Sequence, residues 1–465
     1  MRKLLMATFR GLVCVMILTS ALRAETLADA MADAYYQSGL LDQNRALLRA
    51  ADEDVAIAVS SLRPIIDWSA DLTRNFGNTE SSAFNVGVDS TDVNIGITAS
   101  LLLYDFGRSG FQIDAAKETV LATRQSLISV EQQVLFRAVA AFMNVRRNDR
   151  FVSLRENNLR LIRQELRAAR DRFEVGEVTR TDVALAESRL ASARSGLAFA
   201  EGDLARAIEE FRAVVGRKPG TLNAPATGPR LSSGVDAAKA VAVRKHPDMR
   251  KAQHDIAAAE LNVQAAAAAM KPSLSLTGRL GANEDLSGDD NSQTGSVGVS
   301  ITGPIYQGGR LSATKRRAMA QRDALRGVLH EVRLRVVQNV GDAYADLLSA
   351  RAGVIASREE VRAARVAFEG AREEAKLGAR TTLDVLDFEQ DLLDAEANLI
   401  SAESDVTIAS YAVLAAMGEL TVKDLRLNVQ TYDPAAYYNL AKDAPVARSK
   451  QGKKLDKVLR ALGKD

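Results

Sequence analysis

Two carboxylates stand three residues apart in the stretch LGARTTLDVLD, Leu377 to Asp387. The stretch reads as a helix end, a glycine turn and a new helix start. Asp384 and Asp387 therefore fall on one helix face, where like charges repel. Such a pair can cap a helix or contribute to a ring of negative charge. Thr381-x-x-Asp384 has the spacing of a capping box, which gives Asp384 a structural role; Asp387 has none of that kind. The other reactive side chains build no site. His246, His254 and His330 are dispersed, and His330-Glu331 lacks the second histidine of a zinc motif. The run GRKPG at 216–220 lacks the spacing of a phosphate loop. No nucleophile, base and orienting group can be assembled, so the chain reads as a non-enzyme without metal or cofactor.

The chain has 465 residues, 26% of them charged, with a formal net charge of +2. That balance argues against a nucleic-acid binder. Arg2, Lys3 and Arg10 precede an apolar run from Gly11 to Ile17, and small residues follow before Glu25. Residues 1–24 thus read as a secretory signal peptide cut after Ala24, too short in its apolar run to be a membrane anchor. The only cysteine, Cys14, lies inside it, so the mature chain has no disulfide and no thiolate metal site. After residue 24 no segment reads as a membrane helix, and any crossing of a bilayer must be made by β-strands.

The sequence is a duplication. RFEVGEVTRTDV (172–183) aligns with EAKLGARTTLDV (374–385), pairing Gly176 with Gly378, Thr179 with Thr381 and Asp182 with Asp384. Asp387 pairs with Leu185, so the shared pattern does not dictate the second acid. YDFGR at 104–108 pairs with YQGGR at 306–310, and Pro64 with Pro272. The first copy is six residues longer between its proline and its tyrosine, which reads as a longer loop. The organisation expected is a first repeat at 25–218, a linker at 219–234, a second repeat at 235–418 and a C-terminal tail at 419–465. The tail's last part, 446–465, holds seven Lys/Arg against two Asp, and reads as a mobile basic segment suited to lipid headgroups or a partner.

None of the nine prolines falls between 65 and 218 or between 305 and 433. An apolar seven-residue repeat runs Leu121, Ile128, Leu135, Phe142, then Val145, Val152, Leu159, Leu166 and Phe173. This is coiled-coil patterning, and a helix of about 65 residues would be about 100 Å long. Between each early proline and its Y-x-x-G-R the period changes to two. Four strands follow, Ile65–Arg74, Thr91–Leu102, Ser273–Gly281 and Ser296–Thr302, each with one apolar and one polar face, as in outer-membrane strands. Four strands cannot close a barrel, so closure needs several chains; three would give twelve strands and a lumen.

LLLYDFGRSG, GPIYQGGRL, VGEVTRTDVALAESRL and LGARTTLDVLDFEQDLLDAEANL resemble the repeat motifs of TolC-like outer-membrane channel proteins. The tail VQTYDPAAYYNL is similar to that of members serving type I secretion. The resemblance covers nearly the whole mature chain. It implies a mainly α fold with a membrane β-barrel: a homotrimer with a twelve-stranded barrel among outer-membrane lipids, and an α-helical barrel of long coiled helices crossing the periplasm. It also implies a periplasmic adaptor (membrane fusion) protein and an inner-membrane ABC or proton-driven transporter as partners. The cargo would be protein or small toxic compounds.

The resemblance also assigns roles. Asp384 and Asp387 match the family's two aperture aspartates, six carboxylates in a trimer. Arg380, Asp182 and Thr181 match the polar links that hold the tip shut, while a tyrosine of that network is replaced by Ala375. Gly176 and Gly378 mark the adaptor-facing tip turns, and Gly107, Arg108, Gly309 and Arg310 the strand-to-helix hinges. The alternative from another class is a coiled-coil structural protein of the envelope without a pore; the four alternating strands count against it.

Overall fold

The computed structural model describes residues 25–80, 85–225, 228–229, 231, 234–288 and 291–461. The signal-peptide reading of 1–24 lies outside them. The first half folds as α1 (Leu27–Gln37), α2 (Gly39–Ser60), β1 (Ile65–Glu80), β2 (Asn85–Tyr104), α3 (Arg108–Glu174) and α4 (Arg180–Val215). The second half repeats the order as α5 (Val235–Lys245), α6 (Pro247–Ala268), β3 (Ser273–Asp285), β4 (Asn291–Thr302), α7 (Arg310–Lys376) and α8 (Thr382–Met417). Two short helices follow, α9 (Pro434–Ala441) and α10 (Lys450–Ala461). Helices α3 and α7 both have 67 residues, and α4 and α8 both have 36.

Two compact units emerge, one of 1–43, 128–247 and 333–431, the other of 44–127, 248–332 and 432–465. The first is helical. Its core follows the seven-residue repeat: Leu135, Phe142, Val145, Leu159 and Leu166 of α3 are buried, as are Leu347, Val361 and Phe368 of α7. Along α4, Ala186, Ala193, Ala200 and Ala207 are buried at the same spacing, small enough for close approach to α3. Leu159, Ile162, Leu166 and Ala169 pack with Ala186, Ala193 and Leu386. Among the described residues one helix, α8, is long and apolar enough to cross a membrane, which the sequence reading did not expect. Its apolar side chains have another use: Leu393 and Ile400 pack on Leu154 of α3, and Val385 on Phe368 of α7.

The second unit holds one antiparallel sheet in the order β1-β2-β3-β4. The register aligns Trp68 with Ile97 and Ile97 with Leu280, and Leu101 with Leu276 and Leu276 with Val299. The next residues along align Asp67 with Thr98, Thr98 with Arg279 and Arg279 with Ser296. One face is therefore apolar across all four strands and the other polar. On the polar face Asn283 donates to Asn94 (2.6 Å) and Asn94 to Asp71 (2.8 Å). Among the described residues nothing covers the apolar face: Trp68 is 78% exposed and Val297 82%. Among the described residues β1 and β4 pair on one side only.

The strands are longer than the sequence suggested, with 16, 20, 13 and 12 residues. The extra residues of the first copy extend its hairpin and do not lengthen its loop. Backbone pairing carries on from Asn75↔Ser90 to Glu80↔Asn85 after the apolar alternation has ended. Period-two patterning reports only the part of a strand with a face to bury, whereas the ladder needs only a partner.

The basic tail also departs from expectation. Residues 450–461 form a helix whose Leu455 packs on Tyr437 and Ala441, with Leu440 and Leu459 beside it. Leucines four apart give α10 an apolar stripe, and that stripe docks it. The segment before it is held through Tyr437, whose hydroxyl donates to Glu53 (2.7 Å), and through the Arg45 guanidinium 5.5 Å from the Tyr432 ring centroid.

Asp52, close enough to Tyr432 to act on it electrostatically, is wholly buried, and among the described residues neither carboxylate oxygen accepts a hydrogen bond. Burial pushes its carboxyl up to about 6, with Arg124 opposing the rise. A folded-state value above the ordinary 3.8 means that the folded chain holds this proton more tightly than the unfolded one. The destabilisation therefore sets in above pH 4 and is complete above pH 6. Asp52→Asn is expected to stabilise the protein at pH 7.5 by up to about 3 kcal/mol, with the gain shrinking through pH 6 and vanishing near pH 4. Thermal melts at several pH values measure this; a gain independent of pH would contradict it.

Candidate functional site

Each long hairpin of helices turns by the same local chemistry. At the end of α3, Gly176 adopts φ 79°, its N–H donates to the Phe173 carbonyl (3.0 Å) and that of Glu177 to the Arg172 carbonyl (2.9 Å). At the end of α7, Gly378 adopts φ 77°, with the same pair of bonds from Gly378 to Ala375 (3.2 Å) and from Ala379 to Glu374 (2.9 Å). A left-handed residue here costs a side-chain-bearing amino acid about 1–2 kcal/mol, which explains glycine at both positions.

The next helix starts on a capping box in both copies. Thr179 donates from its backbone (2.8 Å) and hydroxyl (2.7 Å) to Asp182 Oδ2, and the Asp182 N–H donates back to Thr179 Oγ1 (3.3 Å). Thr381 and Asp384 repeat this at 3.0, 2.8 and 3.2 Å. These bonds hold both carboxyls below the usual aspartate range; at Asp384 the positive charge of Arg380 adds to the effect. Capping engages Oδ2 alone. Among the described residues Oδ1 of each accepts no hydrogen bond, so a cap and an outward-facing charge coexist on one side chain.

Asp387, exposed on the next turn of α8, has a partner that sequence reasoning missed. Arg189 of α4 donates to its Oδ1 at 2.6 Å. Arg189 also influences Glu389, which is buried on α8, receives the Asn158 amide and has its carboxyl raised chiefly by burial. No motif marks Arg189, because its partners lie about 200 residues away in sequence. Arg380 is not brought to Asp182 within one chain. It pairs with Glu374 at 2.8 Å, and its guanidinium lies 5.7 Å from the Phe388 ring centroid. Thr181 is exposed beside the first cap. Ala375 is buried in an apolar cluster with Phe368 and Val385.

In the second unit the hinges are built alike. Phe106 and Gly107 adopt φ 57° and 84°, Gly308 and Gly309 φ 57° and 83°, and the helices begin at Arg108 and Arg310. Asp105 secures the first hinge, accepting from the N–H groups of Gly107 (3.1 Å) and Ser109 (2.8 Å). At the second, Gln307 accepts from Arg310.

Residues 31–217 and 241–419 each match the outer membrane efflux protein family. The chain is 36% identical over 422 residues to the outer membrane efflux protein BepC of Brucella suis biovar 1 (strain 1330), covering 90% of this chain and 91% of that one. It is 24% identical over 412 residues to the outer membrane protein TolC of Escherichia coli (strain K12), covering 84% and 82%. Among solved structures, the Campylobacter jejuni CmeC outer membrane channel superposes with a TM-score of 0.76 at 17% identity, over 90% of each chain.

Proposed function

The chain belongs to the outer membrane efflux protein family, and from that premise we propose that three copies close one barrel and one helical tunnel, with the α3–α4 and α7–α8 turns as its gated tip. It is an outer-membrane efflux channel and carries out no catalysis. In this reading it is the exit duct of a tripartite export machine. A periplasmic adaptor docks at the Gly176 and Gly378 turns, and an inner-membrane ABC or proton-driven transporter supplies the energy. The cargo is protein or small toxic compounds. The observation that carries the proposal is the sheet: it has an apolar face with no core to cover it and two edges to pair, and an open edge is not viable in lipid. Currents through planar bilayers containing the purified particle test it; a particle that inserts but never conducts would favour the structural coiled-coil alternative.

Tip closure rests on Arg380 reaching Asp182 of a neighbouring copy, through the Oδ1 atom that capping leaves open, with Thr181 beside it. Arg380→Ser is expected to raise conductance modestly, because packing along the coiled helices shares the work of closure. In a double-mutant cycle, losing Asp182 as well should add less than an independent change would. Additivity with Asp182, together with coupling to Glu374, would confine Arg380 to its own chain's pair.

A further inference from the structure

The helical unit contains a cationic cavity that the duct reading does not use. It has a volume of about 640 Å³ and lies between α3, α7, α8 and the connecting segment at Ala224 and Pro225. Arg146 and Arg150 enter it from one face of α3, Arg351 and Arg358 from one face of α7. Among the described residues the one acidic side chain in its lining is Glu403 of α8, which accepts from Arg150 at 2.6 Å and from Arg358 at 3.4 Å. Four guanidinium groups against one carboxylate leave three positive charges unmatched in the lining. Arg146 and Arg351 make no ion pair among the described residues. Arg146 is half-buried; burial and the charge of Arg150 work against its positive form and outweigh the support of Glu403 and Asp149. The remaining wall is mostly apolar, with Met143, Val354, Ile355 and Val406 beside the hydroxyls of Ser404 and Thr407, and Ile355 is 68% exposed.

We infer that this cavity binds an organic anion with a phosphate or carboxylate head and an apolar body. The head would meet Arg146 and Arg351, whose planar forks suit two-oxygen groups, and the body would cover Ile355 and Val354. The volume falls in the range of small-molecule sites, and such sites combine an apolar wall with a few converging polar groups. A bound anion would tie three helices and the inter-repeat segment together at a point where like charges otherwise repel.

The test uses the full-length particle in neutral maltoside detergent, with hexyl phosphate as probe, by calorimetric titration. Saturable binding at one site per chain is expected. Inorganic phosphate should compete weakly and hexanol not at all. Arg351→Gln, a substitution at an exposed position, should weaken binding at least tenfold. Glu403→Gln, which removes the resident carboxylate, should tighten it. Bicelles containing phosphatidylglycerol distinguish the two natural sources: displacement of hexyl phosphate identifies a lipid headgroup as a ligand, and no displacement identifies a free organic anion. Absence of saturable binding, or binding that Arg351→Gln leaves unchanged, would overturn the inference. It would also be overturned if Arg351→Gln changed the number of chains per particle while the wild type bound no anion, since the cavity would then be a contact between copies.

Discussion

An arginine in place of Ile97 is expected to prevent assembly in the outer membrane, whereas an arginine in place of Thr98 is expected to be tolerated. The two residues are neighbours on β2, and the register puts them on opposite faces of the sheet. Ile97 lies in a row with Trp68 and Leu280, the row that must meet hydrocarbon if the sheet is part of a membrane barrel. A cation on the lipid face near mid-bilayer costs about 2–4 kcal/mol, and in the proposed trimer the cost is repeated to about 6–12 kcal/mol per particle. That is comparable to the whole stability margin of an ordinary domain. Thr98 lies in register with Asp67 and Arg279 on the polar face, where a new arginine stays hydrated and has a carboxylate to meet. The measurement is the yield of particles in the outer-membrane fraction that resist heating in detergent. Equal losses at the two positions would refute the assigned faces.

If Asp384 and Asp387 ring the proposed aperture, replacing both with asparagine is expected to lower cation preference and abolish block by multivalent cations. Six carboxylates around a narrow, partly desolvated opening create a field that no isolated surface pair matches. The single changes should differ. Asp384→Asn weakens the Thr381 cap and so lowers both stability and selectivity. Asp387→Asn removes one carboxylate and leaves Arg189 with Glu389 as its neighbouring acid. It should therefore lower cation preference by the loss of that one charge per chain, while stability changes little, since exposed pairs contribute about 0–1 kcal/mol. Arg189→Ala should act in the opposite sense and strengthen cation preference. Reversal potentials at asymmetric salt measure all four variants. An unchanged value in the double variant would mean that these carboxylates point away from the pore.

The elements legible in the sequence were those specified by local or periodic chemistry. The duplication, the long helices, the glycine turns and both capping boxes all repeat at fixed spacing, and the strand faces follow from period two. What the sequence hid was set by packing across distance. Arg189 meets Asp387, and Glu374 takes Arg380, because the helices bring them together; no spacing announces either pair. Asp52 reads as an ordinary solvated carboxylate, yet the fold buries it fully and leaves both its oxygens without a hydrogen bond among the described residues. The basic tail reads as mobile because its charges outnumber its leucines, yet Leu455 and Leu459 suffice to dock it. The long first hairpin was missed because its outer part has no face to bury.

Counting the chains in one detergent-solubilised particle by native mass measurement tests the account most directly. Each chain supplies four strands and leaves two edges open, and a lumen requires twelve strands. Three chains per particle are expected. A particle of one or two chains would contradict it, because four strands cannot close a barrel and eight would fill theirs with side chains.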